Sequence, residues 1–334
     1  MGLSARMDAF QRRHKTAGIA LAVAYKFFDD QGTYLVALLT YYAFLSLFPL
    51  LLLLVSALGA LLQDNPQLQE RVLHSVLSKF PVIGEQLGHN IHSFRSNGFA
   101  LGVGVVVSLY GALGVAQAAQ LTLNKIWAVP RYRRSDPLRS RLKGMLFLGV
   151  VAAGLAATTG LSVAASASRV FGSHLGVEVR FAVTVAAIAL NAVVLLLTYR
   201  MLTHREIPAR RLLGASIGAA CAWQGLQWAG TYYVSNVLRG ASATYGMFGI
   251  VLGLVAWMYL TALVFVVAAE VSAVRLHRLW PRSLMTPFTD DVQLTWADRR
   301  AYESYATTEQ YKSFEEIKVY FHQRPPPPDD TENS

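Results

Sequence analysis

The sequence predicts an all-α, polytopic membrane protein with six transmembrane helices and both termini cytoplasmic. Three observations carry that expectation. An uncharged, mostly apolar run of 30 residues covers 33–62, and about 20 such residues suffice to cross a hydrocarbon core of roughly 30 Å. Five more apolar windows follow at about 98–120, 144–168, 181–199, 212–238 and 246–274. Finally, 24 of the 30 Lys and Arg fall before Thr33, in 125–143, in 200–211 and from Arg275 onward, on alternate sides of the spans. Basic residues in short loops resist translocation, so those regions are assigned to the cytoplasm. The other six, Arg71, Lys79, Arg95, Arg169, Arg180 and Arg239, fall on the opposite side. Composition agrees: 54% hydrophobic and 15% charged residues would be unusual in a soluble domain.

Three regions follow in chain order: an N-terminal cytoplasmic or interfacial segment, 1–32; a membrane domain, 33–280; and a cytoplasmic tail, 281–334. The N-terminus has a long basic region and no small-residue cleavage site, so it is expected to be retained. Residues 17–28, AGIALAVAYKFF, predict an interfacial helix with Tyr25, Phe27 and Phe28 at headgroup depth. In the first span Pro49, after Ser46, removes a backbone hydrogen bond and predicts a kink, with Tyr41 and Tyr42 shaping that segment. Between the first two spans, Leu68, Val72, Val76 and Phe80, then Ile83, Leu87, Ile91 and Phe94, mark two amphipathic external helices. The second places Glu85, His89 and His92 on one face. That spacing can hold a metal, but it lacks a fourth ligand, and a solvated face explains it better. Tyr245, Gly246 and Gly249 open the last span as a hinge. After Trp280-Pro281, residues 283–334 hold ten carboxylates against five basic residues and the run Pro325–Pro328. That composition predicts a largely disordered tail with one short helix around 308–321. The single cysteine, Cys221, excludes an intrachain disulfide.

Polar residues within the spans are the candidate functional groups. Glu270, in VFVVAAEVSAV, lies well inside a hydrophobic run, where a carboxylate is expensive enough to need a reason. It is a candidate for proton coupling or ligand contact, for pairing with a basic residue of another span, or for reaching the inner interface near Arg275. Gln117, Gln120 and Asn124 form a stripe at i, i+3, i+7, as do Gln224, Gln227 and Thr231. Such stripes turn away from lipid, toward another helix or a polar path. A pI near 9.8 can indicate nucleic-acid binding when the basic residues form one face. Here they are divided among membrane-flanking loops, so no nucleic-acid partner is expected. The cluster Arg131, Arg133, Arg134, Arg139 and Arg141 orients the chain and would contact anionic lipid headgroups.

Three segments resemble the YihY/BrkB family of bacterial inner-membrane proteins, once labelled ribonuclease BN: TYYAFLSLFPLLLLL (40–54), LNKIWAV (123–129) before a basic loop, and SATYGMFGIVLGLVAWMYLTALVFVVAAEVSAV (242–274). The likeness covers about 20–280. Similar proteins carry a Tyr-Gly turn opening the final span and a Gly-Ala-Glu-Leu-Asn pattern near its end. Here Ala268-Ala269-Glu270-Val271-Ser272 keeps the glutamate and changes its neighbours. The resemblance implies a six-helix inner-membrane protein tied to envelope integrity, with a part in moving lipids or lipid-linked glycans. Metal-assisted RNA hydrolysis needs clustered carboxylates or histidines, and the sequence shows no such cluster.

The expectation is therefore a transporter-like, non-enzymatic protein without cofactor, handling an amphiphile or small solute along a polar path between helices. Its partners would be membrane lipids, with a homo-oligomer or an envelope protein as further candidates. The alternative is a non-transporting scaffold for envelope machinery.

Overall fold

The computed structural model describes residues 3–61, 67, 98–170, 177–204, 207–233, 239–286 and 292–321. Among them every regular element is helical. The helices are α1 (Leu3–Arg13), α2 (Lys15–Asp29), α3 (Gly32–Leu61), α4 (Gly98–Ile126), α5 (Pro137–Val170), α6 (Val177–Leu202), α7 (Ala209–Tyr233), α8 (Arg239–His277) and α9 (Trp296–Thr308), with a single 3-10 turn at Arg131–Arg133. The expected external helices, with Glu85, His89 and His92, lie outside the described residues.

Local chemistry sets several helix ends. Gln31, at φ 58, turns the chain between α2 and α3. Lys125 and Val129 show how α4 closes: Ala128 sits at φ 49, its N–H donates to the Lys125 carbonyl at 2.9 Å, and the Val129 N–H reaches Asn124 O at 2.8 Å. Arg278 repeats the device after α8, at φ 52, with Leu279 N–H donating to Val274 O at 3.0 Å. Left-handed residues of this kind satisfy the last helical carbonyls. Pro137 starts α5, where a missing N–H has no consequence.

Helices α3 to α8 pack as a closed ring in sequence order, and α8 returns to lie against α3. Consecutive helices run in opposite directions. Thus the start of α3, the end of α4, the start of α5, the end of α6, the start of α7 and the end of α8 meet at one end. Lys125 Nζ donates to Gln31 Oε1 at 3.0 Å, and the rings of Trp127 and His277 lie 6.3 Å apart across that end. Helix α2 packs across the end of α8.

The inner faces are rich in alanine, with Ala116, Ala118, Ala119, Ala219, Ala268, Ala269 and Ala273 in the core beside Val36, Leu123, Trp127, Tyr199 and Val266. Small residues suit this setting, because in lipid helices gain little from hydrophobic burial and associate by close backbone approach. Gly114 is the sharpest case: a Cβ there would overlap the Tyr42 ring. The outer faces carry exposed Tyr34, Leu142, Leu146, Phe181, Val185, Leu197, Ile217, Trp228 and Leu260. Among the described residues three helical segments are long and apolar enough to cross a membrane, Pro137–Leu161, Phe181–Leu202 and Val251–His277, and Gly32–Leu47 is a shorter apolar one.

Two sequence expectations change at the polar end. The short helix expected around 308–321 lies instead at Trp296–Thr308, and residues 309–321 are not helical. Thr295 caps α9 by accepting from the Asp298 N–H, while the Asp298 carboxylate accepts from the Thr295 N–H, a reciprocal box that nucleates the first turn. Ala301 then packs with Ala22, Val23, Val274 and Leu279 in a second apolar cluster, which seats α9 against α2 and the end of α8. Tyr25, expected at headgroup depth, is buried under the tail and its hydroxyl donates to the Leu284 carbonyl, whereas Phe28 is exposed. The ring of α2 that faces the tail is set by the tail itself, which the apolar pattern of 17–28 does not encode.

Candidate functional site

Two polar assemblies occupy the shared end. The first is a cleft of about 300 Å³ lined by Gln117, Gln120, Leu121 and Asn124 of α4, Arg134 and Ser135 of the following loop, Pro137, Ser140 and Arg141 of α5, and His204. The stripe of α4 forms one wall because residues at i, i+3 and i+7 share a helix face. Gln120 Nε2 donates to the Ser140 carbonyl at 2.9 Å, and Ser140 Oγ donates to Gln120 Oε1 at 2.6 Å. Asn124 Oδ1 accepts from the His204 backbone N–H at 3.2 Å and lies 3.1 Å from His204 Nδ1. An amide oxygen only accepts, so this network puts the imidazole proton on Nδ1 and leaves Nε2 to accept from Ser135 Oγ. Burial, with help from Lys143 and Arg134, pushes the His204 pKa down to about 4, so the ring is neutral at pH 7.

The cleft is electropositive. Arg134 Nε donates to the Val129 carbonyl at 3.2 Å, and burial, then Arg131, holds its pKa below the usual arginine value. Among the described residues, Arg134, Arg141 and Lys143 lack a carboxylate at ion-pair distance, since Glu309 is taken by Arg131 at 2.9 Å and Asp136 by Arg139 at 3.9 Å. Arg134 and Arg141 in the lining, the hydroxyls and the start of α5 together suit a polar or anionic group.

The second assembly is a charge network where α2, α8 and the tail meet. Lys26 Nζ bonds the Asp30 carboxylate and lies 3.3 Å from Glu270 Oε2, with all three side chains buried. Burial alone would lower the Lys26 pKa, but Glu270 and Asp30 hold it above the usual lysine value. Beside this triad, Arg282 donates to Asp298 Oδ1 at 2.7 Å and to Asp29 Oδ2 at 3.1 Å. Asp298 accepts further bonds from Ser283 N–H at 3.1 Å, Thr295 N–H at 2.9 Å and Thr295 Oγ1 at 2.8 Å. Tyr305 of α9 donates to Asp29 at 3.0 Å, with Lys26 Nζ 5.8 Å from its ring centre.

The structure therefore brings part of the expected path together. Gln117, Gln120 and Asn124 share the cleft with Arg134 and Arg141. Glu270 faces Lys26 instead, and neither it nor the half-buried Gln224 and Gln227 lines the cleft. The side chains of Thr231, Pro49, Tyr245 and Gly246 lie outside those described, and α3 is helical through Pro49. Tyr42 packs against Gly114, Tyr41 is exposed, Ser46 Oγ donates to Ala43 O at 3.0 Å, and Gly249 is half-buried. Of the basic cluster, Arg131 is held by Glu309 and by the Tyr311 ring at 4.8 Å, Arg133 lies over Tyr132, and Arg139 is exposed. Among the described residues no group of three His, Cys, Asp or Glu is placed to hold a metal ion.

Sequence reasoning missed Lys26, Asp30, Arg282, Asp298, Ser135, Ser140 and His204. A signal existed for two pairs: Lys26 and Asp30 stand at i, i+4 at the close of a largely apolar helix, and Thr295-x-x-Asp298 is a capping-box pattern. A family model described as Virulence factor BrkB matches residues 23–287. No curated protein and no solved structure matches the chain.

Proposed function

Because the chain belongs to the Virulence factor BrkB family, we propose that it is an inner-membrane protein in which α3 to α8 are six spans and both termini are cytoplasmic, and which moves an amphiphile or small solute along a route that begins in the α4–α5 cleft. The cleft carries this reading: it is a polar, electropositive hollow at the end of an apolar helical ring. Orientation is supported by the basic residues at that end. Envelope integrity would follow from the cargo's place in the envelope, and no enzymatic step is invoked. The test is mass spectrometry of molecules retained by gently purified protein, against an unrelated six-span protein from the same membranes. Selective enrichment of one species, lost in Gln117→Leu, is expected; retention of bulk lipid alone would refute the route. Single cysteines replacing Arg13 and Arg139, in a Cys221→Ser background, test orientation. Labelling of either by an impermeant reagent in intact cells would reverse it.

The scaffold reading rests on one further observation. Tyr311, Phe314 and Tyr320 are exposed on the tail, and exposed aromatics favour partner contact. Removing 310–334 while keeping α9 should then abolish function, whereas a transporting core should retain it.

A further inference from the structure

We propose that the α4–α5 cleft is a phosphate-binding site, and that it takes the phosphate of an anionic lipid headgroup whose acyl chains lie along the exposed apolar face of α5. This rests on the cleft-based route proposed above and names the class of molecule that enters it.

Charge supplies the first argument. Arg134 and Arg141 line the hollow, and Lys143 is close enough to act on the ring of His204. No carboxylate lies at ion-pair distance from them among the described residues: Glu309, whose charge reaches Arg134, is bonded to Arg131, and Asp136, the nearest in sequence, is exposed, paired with Arg139 and absent from the lining. Guanidinium groups match phosphate oxygens in pairs. The α5 N-terminus adds the positive end of its dipole. Gln117 is exposed on the same wall, a donor for a phosphate or glycerol oxygen.

Pre-organisation supplies the second. Gln120 and Ser140 bond each other, and Asn124, His204 and Ser135 form a chain, so the floor is fixed before a ligand arrives. A neutral His204 leaves the cationic work to the arginines. Size agrees, because about 300 Å³ is at the lower end of ligand pockets and admits a headgroup, not a whole lipid.

Position selects lipid over a soluble phosphate. The cleft sits at Pro137, where the apolar segment Pro137–Leu161 begins, which is headgroup depth for a spanning helix. Leu121 on its rim, and Leu138, Leu142, Met145 and Leu146 beside it, are exposed and apolar. None of the lining residues is Phe, Tyr or Trp, so the cleft has no broad aromatic platform of the kind on which successive bases stack.

The test is calorimetric titration of the full chain in an uncharged detergent. The probes are dihexanoyl phosphatidylglycerol, glycerol 3-phosphate and uncharged dihexanoylglycerol. Binding of the phosphatidylglycerol but not of dihexanoylglycerol is expected. Arg141→Gln should weaken it about tenfold, the scale of one charge-assisted hydrogen bond, and Arg134→Gln with Arg141→Gln should abolish it. Arg13→Gln should change nothing. Gln117→Glu, at an exposed position, repels the phosphate without disturbing packing and keeps the test open if an arginine variant misfolds. Undiminished binding in all cleft variants, or equal binding of dihexanoylglycerol, overturns the site. Glycerol 3-phosphate binding as tightly as the lipid keeps the phosphate site and overturns the lipid as its source. Binding without flux in liposomes refutes the route but not the site, whereas flux by a chain whose binding also survives the double arginine change refutes the site alone.

Discussion

Asp298→Ala should release the tail from the membrane domain without unfolding the helical ring. Asp298 is fully buried and accepts from Arg282, from Ser283 N–H and from both polar groups of Thr295. Its loss removes the capping box of α9 and leaves Arg282, which is itself buried, with the Asp29 ion pair at 3.1 Å beside the Tyr25 and Tyr302 rings. Breaking a buried ion pair from one side costs about 3–5 kcal/mol, because the remaining charge stays desolvated. At 1.36 kcal/mol per decade, the opening equilibrium of the tail would rise about 10² to 10⁴-fold. Hydrogen exchange read by mass spectrometry in detergent reports this directly. Amides of 296–308 should lose protection by that factor, while those of α4 and α8 around Leu123 and Val266 keep theirs. Unchanged protection of α9 would refute the claim that Asp298 holds it. Equal loss throughout the ring would show instead that the tail is part of one cooperative unit.

Lys26→Met should destabilise strongly, by about 3–5 kcal/mol, because Glu270 and Asp30 would both remain buried without their cation; Glu270→Gln should cost less, and adding it to Lys26→Met should recover the part of the loss in melting temperature that comes from Glu270, while Asp30 stays unpaired. A combined variant as unstable as the sum would refute that coupling. Gly114→Leu should overlap the Tyr42 ring and cost about 1–3 kcal/mol, the usual range for overpacking, whereas the same change at the uncrowded Gly160 should be near neutral in a denaturation series. For His204, the folded value of about 4 lies below the unfolded one near 6.5, so between them the unfolded chain holds more protons and stability falls as pH drops through that window. Discounted for its partial exposure, this contributes about 1–2 kcal/mol, and His204→Gln should flatten the melting temperature between pH 4 and 6.5.

Much of the architecture was legible in the sequence because helices in lipid must satisfy their own backbone groups, which makes each span a local property of apolar length. The five windows after the first lie within α4 to α8, apart from residues 234–238 of the window 212–238, which are outside the described residues, and the helices extend past them mainly into polar ends such as Lys125 and Arg275. The stripe Gln117, Gln120, Asn124 was legible for the same reason, as a period within one helix. What chain order could not supply was the pairing of distant segments. Arg282 meets Asp29 across 253 positions and Asp298 across 16, and an acidic composition that suggests disorder says nothing of a carboxylate with a buried guanidinium waiting for it. Glu270 shows the division most clearly. Its expense in an apolar run is a fact of sequence, but whether it faces a path, the interface or Lys26 depends on where α2 crosses α8. Local hydrogen bonding and hydropathy thus determined the helices, and only the tertiary packing decided which charges were neutralised by one another and which, at Arg134 and Arg141, were left to attract something else.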